Sequence, residues 1–229
     1  VKPMDSQAPN LFRMIRHGLQ RCVVIVALVG MGQAATLSLA GPRASWALPN
    51  PPAVVLSGEF IQQANITPVD FDGDGDKELV IGGQDGMLYV VAYNGSSWSA
   101  VWSRQTAQDL NAAGAPTSGC VTSKSDIRSS AAVADLDNDG RLEIVVTTGG
   151  DPAQHRNGGV LVYRHIANWS FSVVPGWPQP KIDQVGLGAG SSNPDGCWDG
   201  IWSSPAVGDL DGDGDQEVIA LGFDRRIHA

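Results

Sequence analysis

The sequence predicts an all-β protein assembled from repeated antiparallel units. Three observations carry this prediction: short runs of β-branched residues between turn residues, a glycine-rich composition, and an acidic window that occurs three times. No segment after residue 50 has a convincing helical period. With 229 residues, the chain is long enough for one large domain or two small ones.

Residues 1–47 are predicted to be a secretory signal peptide that contributes a signal helix and no part of the fold. Three arginines within 13–21 precede an apolar run over 22–40, and Ser45 and Ala47 are the small residues that a signal peptidase requires. A signal anchor is the alternative, since this run is nearly long enough to span a bilayer. Residues 48–60 are then a linker or a closing strand, and the protein is expected to be secreted or on the cell surface.

Each acidic window lies between strand-like runs, so the repeat is predicted to be a unit of four antiparallel strands. In the first repeat, "NITPV" precedes the window and "ELVIGG", "MLYVVAYN" and "WSAVWSRQ" follow it. In the second, "SSAAVA" precedes the window and "EIVVTTGG", "GVLVYRHI" and "WSFSVVPGW" follow it. In the third, "SSPAVG" precedes the window and "EVIALGF" and the start of "RIHA" follow it. The repeats cover about 61–128, 129–202 and 203–229, the last of them truncated.

Units of this kind bury their faces by stacking on neighbours, and radial stacking predicts the blades of a β-propeller. The repeats exceed the usual length of roughly 40–50 residues because of two long loops, near 103–128 and 178–202, which are expected to lack regular structure. Two full repeats and one partial repeat are fewer than the roughly 4–8 blades of a propeller. The sequence is therefore interpreted as a fragment of a longer protein.

The three acidic windows share one pattern over nine positions, with Asp at positions 1, 3 and 5, Gly at position 6 and Glu at position 9. Carboxylates this close raise each other's pKa and oppose folding unless a cation neutralises them. With the backbone carbonyl of position 7 included, the predicted metal ligands are Asp70, Asp72, Asp74, Asp76 and Glu78; Asp135, Asp137, Asp139, Arg141 and Glu143; and Asp209, Asp211, Asp213, Asp215 and Glu217.

Calcium is the predicted ion, at about three sites, because it accepts many oxygen ligands in irregular geometry, whereas magnesium requires a stricter octahedron. Zinc prefers His or Cys, which the windows lack. The EF-hand loop is rejected because its Glu at position 12 is replaced by Ile81, Val146 or Ala220, and the flanks are strands. The remaining alternative is an Asp- and Gly-rich turn without a metal.

The D-x-D-x-D-G-x-x-E turns, with the strands that follow them, resemble the FG-GAP/VCBS repeat family, the calcium-binding β-propeller repeats of integrin α-subunit heads and many bacterial surface proteins. The resemblance covers roughly 61–229. It implies that positions 1, 3, 5 and 9 bind calcium through side chains and position 7 through its carbonyl. The phenylalanine–glycine and glycine–alanine–proline signatures of the family are absent or degenerate here. Bacterial relatives are described as extracellular adhesion or scaffold modules, sometimes attached to enzymes.

Two pairs of residues in the long loops are further candidates. Cys120 and Cys197 lie late in equivalent loops of neighbouring repeats, and two cysteines in an exported chain predict one disulfide. Trp198 and Trp202 lie beside Cys197 and are speculative ligand-binding residues, although large side chains more often fill gaps between blades.

The sequence predicts an exported calcium-binding module for extracellular binding or adhesion, with an unknown protein or glycan ligand. Alternatives are a non-catalytic or partial segment of a secreted carbohydrate-active enzyme or protease, and a structural spacer of a surface protein. The chain is not expected to be an enzyme, because nucleophile-elbow and zinc-protease motifs are absent. The net charge of −9 argues against nucleic acid, and membrane contact is expected only through an uncleaved anchor.

Overall fold

The computed structural model describes residues 56, 66–150, 154–184 and 194–229. These lie in a compact unit, Pro52–Ala229. The predicted signal peptide and nearly all of the predicted linker lie outside the described residues. Among the residues described, no helix is both long enough and apolar enough to cross a membrane.

Three antiparallel sheets follow one another along the chain, each with its strands in sequence order. The first sheet contains β1 Thr67–Val69, β2 Glu78–Gly82, β3 Met87–Tyr93 and β4 Trp98–Gln105. The second contains β5 Ala132–Ala134, β6 Glu143–Thr148, β7 Gly159–Ala167 and β8 Ser170–Val173. The third contains β9 Ala206–Gly208, β10 Glu217–Leu221 and β11 Ile227–His228. The predicted all-β class and the propeller-like four-stranded repeat are confirmed.

The acidic window joins the first and second strands of each sheet in the same register. Val69 is opposite Glu78, Ala134 is opposite Glu143, and Gly208 is opposite Glu217. The residue before position 1 is therefore always paired with the Glu of position 9. This pairing closes each window into a hairpin and brings its two ends together.

The core lies between the sheets, which explains why the second sheet is apolar on both faces. All six residues of β6 are buried. Successive strand residues point to opposite faces, so Ile144 and Val146 pack with Val80 and Leu88 of the first sheet. Val145 points the other way and packs with Ala220 of the third sheet and with Ile201. Neighbouring repeats thus complete each other's cores.

The first strands of successive repeats lie side by side. Thr67 Oγ1 donates a hydrogen bond to the carbonyl of Ala131, which precedes β5, over 2.7 Å. The backbone N–H of Ser130 donates to Ser204 Oγ, near the start of β9, over 3.1 Å. The small residues of β5 and β9 permit this close approach.

The prediction that the first long loop lacks regular structure is wrong, because a helix, α1 Thr106–Ala112, follows β4 directly. Its cap is Gln105, whose side chain accepts a hydrogen bond from the N–H of Ala107. Asp109 is buried in α1 and accepts a hydrogen bond from Arg104 Nε over 2.9 Å and one from the Tyr163 hydroxyl over 2.8 Å. Tertiary contacts therefore stabilise this helix, rather than a repeating apolar pattern.

Candidate metal centre

The backbone of each acidic turn is folded back by residues with positive φ. Gly75, Gly140 and Gly214 at position 6 have φ of 96°, 86° and 101°, as the sequence predicts, and glycine adopts this region without steric cost. Position 4 is also left-handed, with Asn138 at φ 55° where the other two turns have glycine. Asn is among the residues that tolerate this conformation best.

The Asp at position 1 accepts backbone hydrogen bonds within each turn. Asp70 accepts from Gly73 over 2.7 Å and from Gly75 over 3.1 Å. In the second turn, Asp135 accepts the N–H groups of positions 5 and 6 over 3.0 and 2.9 Å. The first carboxylate therefore fixes the loop around itself, and each carboxylate oxygen has a further lone pair for a cation.

Three carboxylates meet in each turn, those of positions 1, 3 and 9. In each group, one ligand atom per residue lies within 4.8 Å of the others. The groups are Asp70, Asp72 and Glu78; Asp135, Asp137 and Glu143; and Asp209, Asp211 and Glu217. The structure thus brings these nine predicted ligands together.

The predicted ligands at positions 5 and 7 have a different arrangement. Position 5 lies outside the three groups, and its carboxylate accepts the N–H of position 7. Those distances are 2.8 Å from Asp76 to Asp74, 2.9 Å from Arg141 to Asp139 and 2.9 Å from Asp215 to Asp213. The ligand roles of positions 5 and 7 stay predictions.

The Glu at position 9 is the buried member of the first two groups. Glu78 is 3% exposed and Glu143 is 1% exposed. Glu78 Oε2 accepts the N–H of Phe71 over 2.9 Å, and Glu143 Oε2 accepts that of Leu136 over 2.9 Å. Burial raises the pKa of Glu78, the Phe71 hydrogen bond opposes the rise, and the charges of the turn's aspartates add to it. A cation would relieve this penalty.

A basic residue that the sequence analysis did not identify lies at the second turn. Arg164 on β7 is opposite Glu143 in the β6–β7 register. Its Nε donates to Glu143 Oε1 over 2.8 Å, and its guanidinium also contacts Asp137. The hydrogen bond to Glu143 is the main cause that raises the pKa of Arg164. The carboxylates of the second turn are therefore paired with an arginine side chain from β7.

The donor set fits a hard divalent cation such as calcium. Every converging atom is a carboxylate oxygen, and calcium binds such oxygens at roughly 2.3–2.6 Å. The residues that would hold it are those of positions 1, 3 and 9, and the ion would supply positive charge that offsets their repulsion. A further group, His155, Asp195 and Cys197, does not fit a metal because the sulfur of Cys197 forms a disulfide.

The predicted disulfide between Cys120 and Cys197 is present, with a Cα–Cα distance of 5.8 Å. Trp198, only 9% exposed, is covered by protein, and its ring faces Lys181 Nζ at 5.6 Å. Trp202 donates through Nε1 to the carbonyl of Gly149, and its ring packs against the guanidinium of Arg128. These contacts give both tryptophans a packing role, and their ligand role stays a prediction.

Neighbouring turns are also in contact. Asn138 Nδ2, in the second turn, donates a hydrogen bond to the carbonyl of Gly214 in the third turn over 2.6 Å. Since Gly214 is position 6 of its own turn, the contact joins the folded-back segments of two candidate centres.

Stacked antiparallel units with an acidic hairpin between their first and second strands place the described residues in the class of β-propeller-like repeat proteins. Within this class, residues 70–146 match the family model of the FG-GAP-like repeat. This match contains the first two turns, and the resemblance to the FG-GAP-like repeat that the sequence shows is confirmed over these residues. Comparisons with curated proteins and with solved structures found no match.

Proposed function

We propose that the protein is a calcium-stabilised repeat module of an exported protein. The observation that carries the proposal is the threefold convergence of carboxylate oxygens at positions 1, 3 and 9, on hairpins of identical register. Calcium that binds only the folded state stabilises it by mass action, by about 3 kcal/mol per site when free calcium is roughly a hundred times Kd. The ion is thus a structural element of each repeat.

The extracellular role rests on compartment chemistry. A disulfide persists in oxidising compartments and is rare in the cytosol, and Cys120–Cys197 is such a bond. We propose a non-enzymatic module that is secreted or on the cell surface and binds a protein or glycan outside the cell. When the labelled protein is applied with calcium to an array of immobilised glycans and extracellular proteins, it should bind one class of ligand. If the protein binds nothing on the array, the binding role fails and the alternative of a structural spacer is favoured.

The calcium proposal is tested by thermal unfolding of the whole chain with calcium and with excess EDTA. EDTA should lower the Tm by several degrees, calcium should restore it, and magnesium at the same concentration should restore it less. An identical Tm in calcium and EDTA would overturn the proposal.

A matched variant locates the effect at a turn. Glu78→Gln keeps a carbonyl oxygen that can accept the Phe71 hydrogen bond but removes one charge from the first group. Loss of a group that only hydrogen-bonds a metal ligand typically lowers metal affinity by about 10–100-fold. Loss of the charge of the ligand itself should lower the calcium affinity of the first turn at least as much. Calorimetric titration measures this, and unchanged calcium affinity would exclude Glu78 as a ligand.

A further inference from the structure

The second acidic turn already contains a positive charge from the chain itself. Arg164 Nε lies 2.8 Å from Glu143 Oε1, a terminal nitrogen contacts Asp137, and the other terminal nitrogen lies 3.8 Å from Asp139 Oδ2. One guanidinium therefore contacts positions 9 and 3 and approaches position 5. The side chain of Arg164 is 24% exposed, so most of it lies within the structure.

The first turn has a different arrangement. The register that pairs Leu79 with Val91 places Ala92 next to Glu78, where the second repeat has Arg164. A methyl group cannot reach the carboxylates. The ion pair described at this turn is Lys77 Nζ with Asp70 Oδ2, at 3.6 Å, and the Lys77 side chain is 57% exposed. Its ammonium group lies at the water-exposed side of the turn and approaches position 1.

The hydrogen bonds of Glu143 show how the guanidinium opposes the binding of a metal ion. One of its oxygens accepts the N–H of Leu136 and the other accepts Arg164 Nε, and the side chain is 1% exposed. Arginine keeps its charge at all ordinary pH values and presents a planar set of donors that matches carboxylates. A cation that binds Glu143 and Asp137 must therefore displace this guanidinium or share both carboxylates with its positive charge.

We propose that Arg164 acts as a built-in cation of the second acidic turn, and that calcium therefore binds this turn more weakly than it binds the first turn. The inference rests on the proposed calcium function and adds that the repeats differ in their need for the ion. Loss of a hydrogen bond to a charged group corresponds to about 10–100-fold in affinity, and this is the expected difference.

The test isolates the second turn. Asp72→Ala and Asp211→Ala together remove the position 3 ligands of the first and third turns, both at exposed positions. In this background, Arg164→Gln should raise calcium affinity at least about tenfold, as measured by calorimetric titration. Arg226→Gln is the matched control: it removes one positive charge at an exposed position outside the acidic turns. It should change the affinity far less than Arg164→Gln.

The outcomes separate the two proposals. If the unaltered chain binds calcium but Arg164→Gln binds it no more tightly than the background does, the inference about Arg164 fails and the calcium function stands. An equal gain in Arg226→Gln also overturns the inference, because net charge alone would then explain it. If the unaltered chain binds no calcium and EDTA leaves its Tm unchanged, the calcium function itself fails.

A second measurement needs no substitution that could disturb folding. In the unaltered protein, the Arg164 Nε–H signal in a nitrogen–proton correlation spectrum should keep its position at calcium concentrations that saturate the first turn. A shift of this signal in parallel with the amides of residues 70–78 would overturn the proposal.

Discussion

At the scale of single residues, His165 is a polar side chain in an apolar setting. Its ring packs against Phe71 at 5.5 Å and Phe171 at 5.0 Å between centroids, and Nε2 is buried without a hydrogen-bond partner among the described residues. Burial lowers the pKa of His165, the charge of Asp72 opposes this, and the charge of Arg141 adds to it. The imidazole therefore stays neutral at a pH at which a histidine in an unfolded chain would begin to gain a proton.

His165→Phe should therefore raise the free energy of unfolding by about 1 kcal/mol at pH 8, since an unsatisfied buried polar group costs about 1–3 kcal/mol. The gain should grow as the pH falls from 7 to 5. A group with a lowered pKa in the folded state contributes stability above its unfolded pKa and loses it as the pH falls toward the folded value. Urea unfolding at pH 8 and pH 5.5 measures both effects, and a gain independent of pH would contradict the titration of His165.

The residues of a metal turn could be predicted because they are close in sequence. Asp70, Asp72 and Glu78 fall within nine positions, and Gly75 between them marks the fold-back. Arg164 could not be identified in this way, because it lies 21 residues after Glu143 and reaches it only through strand register. A one-residue change of register would place its side chain on the other face of the sheet.

At the scale of elements, the strands were predictable and the helix was not. Strands such as β6 have a β-branched run between turn residues, whereas α1 has only seven residues, too few to display an apolar period. Isolated helices shorter than about 12–15 residues are marginal in water, so α1 depends on partners from elsewhere in the fold. Asp109 provides them by joining α1 to Arg104 on β4 and to Tyr163 on β7.

Tyr163→Phe should lower the free energy of unfolding by about 1.5–3 kcal/mol, because the lost hydrogen bond has a charged, buried acceptor. The Tyr163 ring would stay in its core position, so packing is preserved. Tyr93→Phe, at a tyrosine that is 36% exposed, is the control and should have little effect. Chemical denaturation of the three proteins measures the difference, and equal stabilities would show that the hydroxyl does not support α1.

At the scale of the whole molecule, the sheets depend on one another for their cores. The second sheet has Ile144 and Val146 against the first sheet, and Val145 against the third. The uninterrupted apolar run of Ile144–Val146 predicts that both faces are covered, but the neighbour of each face follows only from the stacking. The Cys120–Cys197 bond adds a covalent tie across 77 residues of sequence, a span that includes all of the second sheet.

Replacement of both cysteines by serine should lower the free energy of unfolding by up to about 4 kcal/mol, since a cross-link of this span restricts the unfolded chain. Calcium should recover part of the loss, because it acts on the folded state alone. Urea unfolding of the oxidised protein and of Cys120→Ser/Cys197→Ser, each with calcium and with EDTA, gives both numbers. Equal stability of the two proteins would mean that the unfolded chain is already restricted without the bond.

The side-chain amide of Asn138 belongs to the second turn and is hydrogen-bonded to the third turn. If the third hairpin changes conformation when it binds an ion, Gly214 moves, and the hydrogen bond transmits this movement to the Asn138 side chain. A saturation curve for this protein should consequently depart from the sum of independent binding events, and removal of that amide should make the curve additive.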